Sequence, residues 1–78
     1  MSTHREIYFT CTYASKATRR TAVVQAWDAN MAESLFRELL AEEPLPESGV
    51  IQIELPGGRV ARRAPYAPRL GEQASGHA

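Results

Sequence analysis

Apolar and polar residues alternate from Ile7 to Tyr13, with Ile7, Phe9, Cys11 and Tyr13 on one face and Tyr8, Thr10 and Thr12 on the other. A period of two is the mark of a strand with one face buried. Residues 14–18 are polar and have no helical period. From Arg19 to Trp27 the alternation resumes, setting Ala22, Val24 and Ala26 opposite Thr21, Val23 and Gln25. The two runs predict a hairpin with a medium loop. No Asn-Gly or Asp-Gly pair specifies a two-residue turn, so its register stays open.

The period then changes. Between Ala29 and Glu42 the apolar residues Ala32, Leu35, Phe36, Leu39 and Leu40 recur at i, i+3, i+4, i+7 and i+8, which is one stripe of an amphipathic helix. Asp28 is placed to cap it, since a carboxylate there accepts first-turn N–H groups and meets the positive end of the helix dipole. Asn30 with Glu33 is a competing capping pair. Glu33 and Arg37 are expected as an i, i+4 pair on the wet face, stabilising by about 0.3 kcal/mol, while Glu38 and Glu42 repel at the same spacing.

Pro44 and Pro46 stop the helix, because proline lacks a donor and pushes its predecessor out of helical geometry. After Glu47-Ser48-Gly49, the run Val50-Ile51-Gln52-Ile53-Glu54-Leu55 predicts a third strand with Ile51, Ile53 and Leu55 inward. Pro56-Gly57-Gly58 then turns the chain into a fourth strand from Arg59-Val60. A two-residue Gly57-Gly58 turn would pair Leu55 with Val60 and Ile53 with Arg62; a three-residue loop with a bulge would oppose Ile53 and Ala61.

Two hairpins around one helix predict an α+β fold of ββαββ order, a mostly antiparallel four-stranded sheet with the helix packed on one face. The expected domain spans 1–66, and 67–78, which has no period, is expected as a flexible tail. The expected core is Ile7, Phe9, Cys11, Val24, Ala32, Leu35, Phe36, Leu39, Ile51, Ile53, Leu55 and Val60. The other sheet face, carrying Tyr8, Thr10, Thr12 and whichever of Val23 and Trp27 does not tuck in, is left open as a candidate partner or dimer surface, so the chain is expected as a monomer or as a dimer through that face.

At 78 residues there is room for one core and no cleft between domains. Hydrophobic residues make up 44%, and nine basic side chains balance nine acidic ones, so net charge by itself implies neither nucleic acid nor an acidic partner. The single cysteine forms no internal disulfide. No stretch is long and apolar enough for a signal segment or membrane span, and the expected location is the cytoplasm.

Candidate catalytic groups are few in this sequence. His4 and His77 sit near the two ends, where no fixed geometry for proton transfer or metal binding is expected. Cys11, at an inward strand position, reads as a small hydrophobe. No metal-ligand spacing occurs, and Pro56-Gly57-Gly58-Arg59 lacks the helix and Lys-Ser/Thr of a phosphate loop. The chain is therefore expected not to be an enzyme and to need no cofactor.

The charges carry more pattern. Lys16, Arg19 and Arg20 cluster at the first hairpin and Arg59, Arg62 and Arg63 at the second, whereas Glu33, Glu38, Glu42 and Glu43, followed by Glu47, concentrate on the helix and its exit. The basic set offers donors for phosphates or an acidic protein surface, and the acidic set is a second candidate contact, for a basic surface. Edge strands also carry Arg and Lys to discourage sheet-to-sheet association, and that reading accounts for the same residues.

The strand running into an Asp-capped helix, Val24-Gln25-Ala26-Trp27-Asp28-Ala29-Asn30-Met31-Ala32, followed by Val50-Ile51-Gln52-Ile53-Glu54-Leu55-Pro56-Gly57-Gly58-Arg59-Val60, resembles the small ββαββ proteins of phages and mobile elements, among them type I anti-CRISPR proteins. The resemblance is one of pattern, over about residues 5–66. It implies a non-catalytic inhibitor in the cytoplasm of a bacterial host. Such an inhibitor binds the crRNA-guided surveillance (Cascade) complex, commonly along its Cas backbone subunits, and blocks hybridisation with target DNA. It transfers no functional residue, so the basic and acidic sets above remain the candidates. The alternatives are a small RNA- or DNA-binding module using the basic hairpins, and a structural dimerising phage protein.

Overall fold

The computed structural model describes residues 6–68. The elements follow in the order β1 (Ile7–Ala14), β2 (Arg19–Ala26), α1 (Ala29–Ala41), β3 (Gly49–Glu54) and β4 (Val60–Tyr66). They form the expected α+β arrangement, one fully antiparallel sheet with the helix on one face. The strand order is β2-β1-β3-β4. Since β2 and β3 both run antiparallel to β1, they are parallel to each other, and α1 is the crossover that spans β1. That places β1 in the interior of the sheet, with Phe9, Cys11 and Tyr13 all buried.

Both hairpins form from adjacent strands. In the first, Phe9 faces Val24 and Cys11 faces Ala22, and the loop closes with the Ser15 N–H donating to the Thr18 carbonyl at 2.8 Å. In the second, Ile53 faces Arg62 and Glu54 faces Val60, which leaves Ala61 as the extra residue of a β-bulge. The Gly58 N–H donates to the Leu55 carbonyl at 2.9 Å, and the Leu55 N–H donates to the Arg59 carbonyl at 2.8 Å. Neither anticipated register holds throughout, because the loop has three residues and the bulge then restores the Ile53–Arg62 pairing. Gly57 and Gly58 lie at φ +100° and +96°, a region in which a side chain would crowd the following carbonyl.

Helix α1 starts as expected, with the Asp28 carboxylate accepting the Met31 N–H at 2.8 Å. It ends at Ala41, ahead of Pro44, where the Glu42 and Glu43 N–H groups still donate to the carbonyls of Leu39 and Leu40. Ala32, Phe36 and Leu40, four residues apart, are the positions that bury onto the sheet.

Two members of the expected core are solvated. Leu39 is 46% exposed, because it leans toward the β2 edge rather than onto the sheet, and Val60 is 49% exposed beside the bulge. In their place Tyr13, Ala26, Leu40, Leu45 and Tyr66 are buried. Leu45, between two prolines, folds back under the helix exit, and Tyr66 meets Tyr13 edge to face at 5.8 Å between ring centres. Burying a large apolar side chain of this kind stabilises the fold by roughly 1.5–3 kcal/mol.

The wet-face expectation for Glu33 is corrected as well. Glu33 is 8% exposed and turned toward β4. The position of β4 opposite Ile53 is Arg62, on the helix side of the sheet, so a buried acid meets a cation there instead of water. Beyond residue 68, the expected tail lies outside the described residues.

Candidate functional site

Among the described residues, the sheet face away from α1 has no layer over it. The registers give it three rows across the four strands. One row runs Val23, Thr10, Glu54 and Val60; the next runs Thr21, Thr12, Gln52 and Arg63; the third runs Arg19, Ala14, Val50 and Pro65. Tyr8, beside Gln25, extends the face toward the other end of β1. Tyr8 is 61% and Val23 63% exposed. The interior of this face holds one carboxylate, Glu54, which accepts from the Gln52 amide at 2.7 Å. It is therefore an aromatic and hydroxyl-lined surface with cations at its two margins. Neighbouring strands are about 4.8 Å apart and Arg19 and Arg63 are offset by one row, about 7 Å along the strands, so Arg19 on β2 and Arg63 on β4 stand about 16 Å apart.

The six candidate cations do not form one patch. Strands β2 and β4 are opposite edges of the sheet, and the antiparallel pairing of β1 with β3 sends the 15–18 loop and the 55–59 turn to opposite ends. Lys16 sits in the first of these connections and Arg59 in the second, both exposed. Arg19 and Arg63 belong to the open face. Arg20 and Arg62, one position away from them along their strands, belong to the helix side. This split follows from strand periodicity alone: consecutive residues point to opposite faces.

On the helix side, the basic and acidic sets meet each other. Arg20 donates from Nε to Glu43 at 2.8 Å, with both side chains about half exposed, so the pair contributes about 0–1 kcal/mol. Glu33 is held between two guanidinium groups. Arg62 donates to its Oε1, and Arg37 donates to its Oε2 at 2.8 Å. Hydrogen bonding from Arg62, aided by that from Arg37 and by the charge of both, holds the Glu33 carboxyl below the usual carboxylate range against the opposing effect of burial. Arg37 also reaches the Pro65 carbonyl at 2.9 Å and lies 5.6 Å from the centre of the Tyr66 ring. These contacts fasten the end of β4 to the helix. Of the four acidic candidates, Glu38 and Glu42 remain exposed and make no ion pair among the described residues.

Glu47, which continued the acidic run in sequence, is taken up by the first hairpin loop. Its carboxylate accepts the Ala17 N–H at 3.0 Å, and its backbone carbonyl accepts the Tyr13 hydroxyl. Hydrogen bonds from Ser15 and then from the Ala17 backbone pull its carboxyl below the usual value. The contacts of Glu47 are thus structural, tying the helix exit to the turn.

Among the described residues, no group of three or more His, Cys, Asp or Glu side chains could hold a metal ion. His4 and His77 lie outside the described residues. Cys11 is fully buried, and desolvation pushes its thiol up to about 11, which disfavours the thiolate that nucleophilic chemistry needs. No helix among the described residues is long and apolar enough to cross a membrane.

Sequence periodicity alone assigned Tyr8, Thr10 and Thr12 to the open face. It missed Val50 as part of the same surface. The signal was available, since Val50 alternates with the inward Ile51, but its neighbours across the sheet depend on the strand order. Comparison with protein-family models, with curated proteins and with solved structures finds no match for this chain.

Proposed function

We propose that this protein is a non-catalytic inhibitor that works by occlusion, laying its uncovered sheet face over a partner's surface in the bacterial cytoplasm. The observation that carries the reading is the open face itself. Strands β1 and β2 present Tyr8, Thr10, Thr12 and Val23 on the face away from α1, no element among the described residues lies over them, and Arg19 and Arg63 at the margins make no ion pair among the described residues. An exposed apolar area with a charged rim has the composition of a recognition surface. The resemblance noted in sequence supplies the partner: the crRNA-guided complex of a type I CRISPR system, with its Cas backbone subunits as the contact and target DNA hybridisation as the step blocked.

The test is co-purification of the tagged protein with a type I surveillance complex, alongside phage survival in cells that carry the system. The expected result is capture and protection by the native chain, and loss of both in an Arg19→Glu, Arg63→Glu double variant that still folds. Absence of both capture and protection with the native chain refutes the identity of the partner.

A second reading, direct binding of single-stranded nucleic acid, is favoured by one specific arrangement. An exposed tyrosine on an interior strand, with arginines on both flanking edges, can stack a base while the margins meet phosphates. Gel shifts at two salt concentrations separate the readings, since phosphate contacts weaken steeply with salt.

A further inference from the structure

The two edges of the sheet are built differently. Strand β4 carries Arg62, Arg63, Pro65 and the bulge at Ala61, which are devices that blunt an edge against further pairing. Strand β2 has two arginines at its start, and then runs Thr21-Ala22-Val23-Val24-Gln25-Ala26 with no charge, no proline and no break in its pairing with β1. The Ser15-to-Thr18 hydrogen bond sets the alternation of the ladder. It directs the backbone groups of Arg20, Ala22, Val24 and Ala26 toward β1, and those of Thr21, Val23 and Gln25 toward the open edge. An uncharged edge of this length is a template for another strand.

A groove lies directly beside that edge. Ala22 and Thr21 form one wall and Phe36, Leu39 and Leu40 the other, with Arg20, Glu42 and Glu43 at one end. The helix approaches β2 more closely than any other strand, and its flank on this side is an apolar row four residues apart: Met31, 37% exposed, the half-buried Leu35, and Leu39, 46% exposed. The opposite flank is the one engaged with β4 through Glu33 and Arg37. Among the described residues no strand pairs with this edge and nothing covers the apolar row, and the two share one side of the molecule.

We propose that a second copy of this chain occupies this side, the two β2 strands pairing antiparallel about Val23 to make one eight-stranded sheet with the two helices adjacent. Self-complementarity selects the occupant. Centring the pair on Val23 brings Val23 against its own copy and Thr21 against Gln25, so the outward-pointing backbone groups meet outward-pointing ones. Arg20 comes opposite Ala26, and the arginines of the two copies stand at opposite ends of the joint.

Helix α1 runs back along β2, from Asp28 near Ala26 to Glu43 beside Arg20. In the pair the helices are antiparallel, and Leu35 and Phe36, the part of α1 level with Val23, lie at the two-fold, so Leu35 of one copy meets the same turn of the other and Leu39 comes level with Ala32. The exposed Glu42 then approaches the first turn of the partner helix, the positive end of its dipole. The symmetry is that of an isologous two-fold interface. The joint would also continue the uncovered face of one copy into that of the other, doubling the surface presented on one side.

The experiment is sedimentation of the full chain over a concentration series from about 1 µM to about 500 µM, since a dimer's population depends on protomer concentration. Amide exchange is measured at both ends of the series. The expected result is a monomer–dimer equilibrium in which the amides of Thr21, Val23 and Gln25 gain protection as the dimer forms. Val23→Lys puts like charges across the two-fold at a solvated site and is expected to weaken dimerisation at least about tenfold. Leu39→Glu, a second exposed position, is expected to weaken it too.

Tyr8→Lys, on the uncovered face away from the edge, is expected to leave dimerisation unchanged. A chain that stays monomeric throughout overturns the proposal. So does a dimer that Tyr8→Lys breaks and Val23→Lys spares, or edge amides that gain protection only with a strand from a different protein.

Discussion

Glu33→Gln tests the clearest energetic statement the structure makes. The Glu33 side chain is 11% exposed, and its carboxylate accepts from two guanidinium groups, Arg62 and Arg37. Glutamine keeps the volume but turns one acceptor into a donor, so one arginine loses its partner and the other keeps a neutral one. Hydrogen bonds to charged groups contribute about 1.5–3 kcal/mol each when sheltered. Here the arginine side chains are 44% and 38% exposed and water screens part of the interaction, so the expected loss for the pair is about 1–2 kcal/mol at neutral pH. For a domain of this size that lowers the Tm by about 4–8 °C per kcal/mol.

The pH dependence provides the sharper check. The carboxyl is held below its usual value in the folded chain, so the unfolded chain takes up a proton first as the solution is acidified. The stabilisation is complete above the unfolded value of about 4.3 and is lost as pH falls through the lower, folded one. Urea unfolding of both proteins at pH 7 and in strong acid should show a gap at pH 7 that closes in acid, with the same dependence on urea. A gap of the same size at both pH values, or none at pH 7, would refute the assignment of Glu33 as a sheltered anion between two cations.

Asp28→Ala removes the acceptor of the Met31 N–H and should cost about 1 kcal/mol in urea unfolding, with Asp28→Asn recovering most of it. Gly49→Ala would set a methyl 2.4 Å from the Ala14 carbonyl oxygen and 2.6 Å from the Tyr13 ring, between two strands that cannot part. The expected cost is about 2 kcal/mol or more, read from the thermal midpoint. Gly57→Ala meets no neighbouring atom and should lose only the about 1–2 kcal/mol of its positive φ. Cys11 should resist alkylation in the folded chain at pH 8 and react at the rate of a free thiol in urea; a fast native reaction would contradict its burial.

How far the candidate surface was legible differs from residue to residue. Tyr8, Thr10 and Thr12 could be assigned to one face because alternation along a strand needs no knowledge of its neighbours. The six basic residues could not be sorted the same way. Their clustering along the chain suggested one patch, but Arg19 and Arg20 point to opposite faces, as do Arg62 and Arg63, and the two hairpins end on opposite edges. Two of the six, Arg62 and Arg20, are then taken up by Glu33 on the helix and Glu43 just past its end, carboxylates that looked solvated in sequence.

Periodicity by itself determined the elements: two alternating runs, a helical stripe with an aspartate at its start, and a glycine turn between the last strands. Those features are local, with energies set by residues a few positions apart. The tertiary structure alone decided that β1 lies between β2 and β3, that Leu39 leans over an edge while Leu45 and Tyr66 are buried, and that Glu33 is sheltered by Arg62. Each of these depends on where a helix settles across a twisted sheet, a balance of packing among residues far apart in the chain. A stripe's width in sequence cannot say which of its two flanks will meet a neighbour and which is left uncovered.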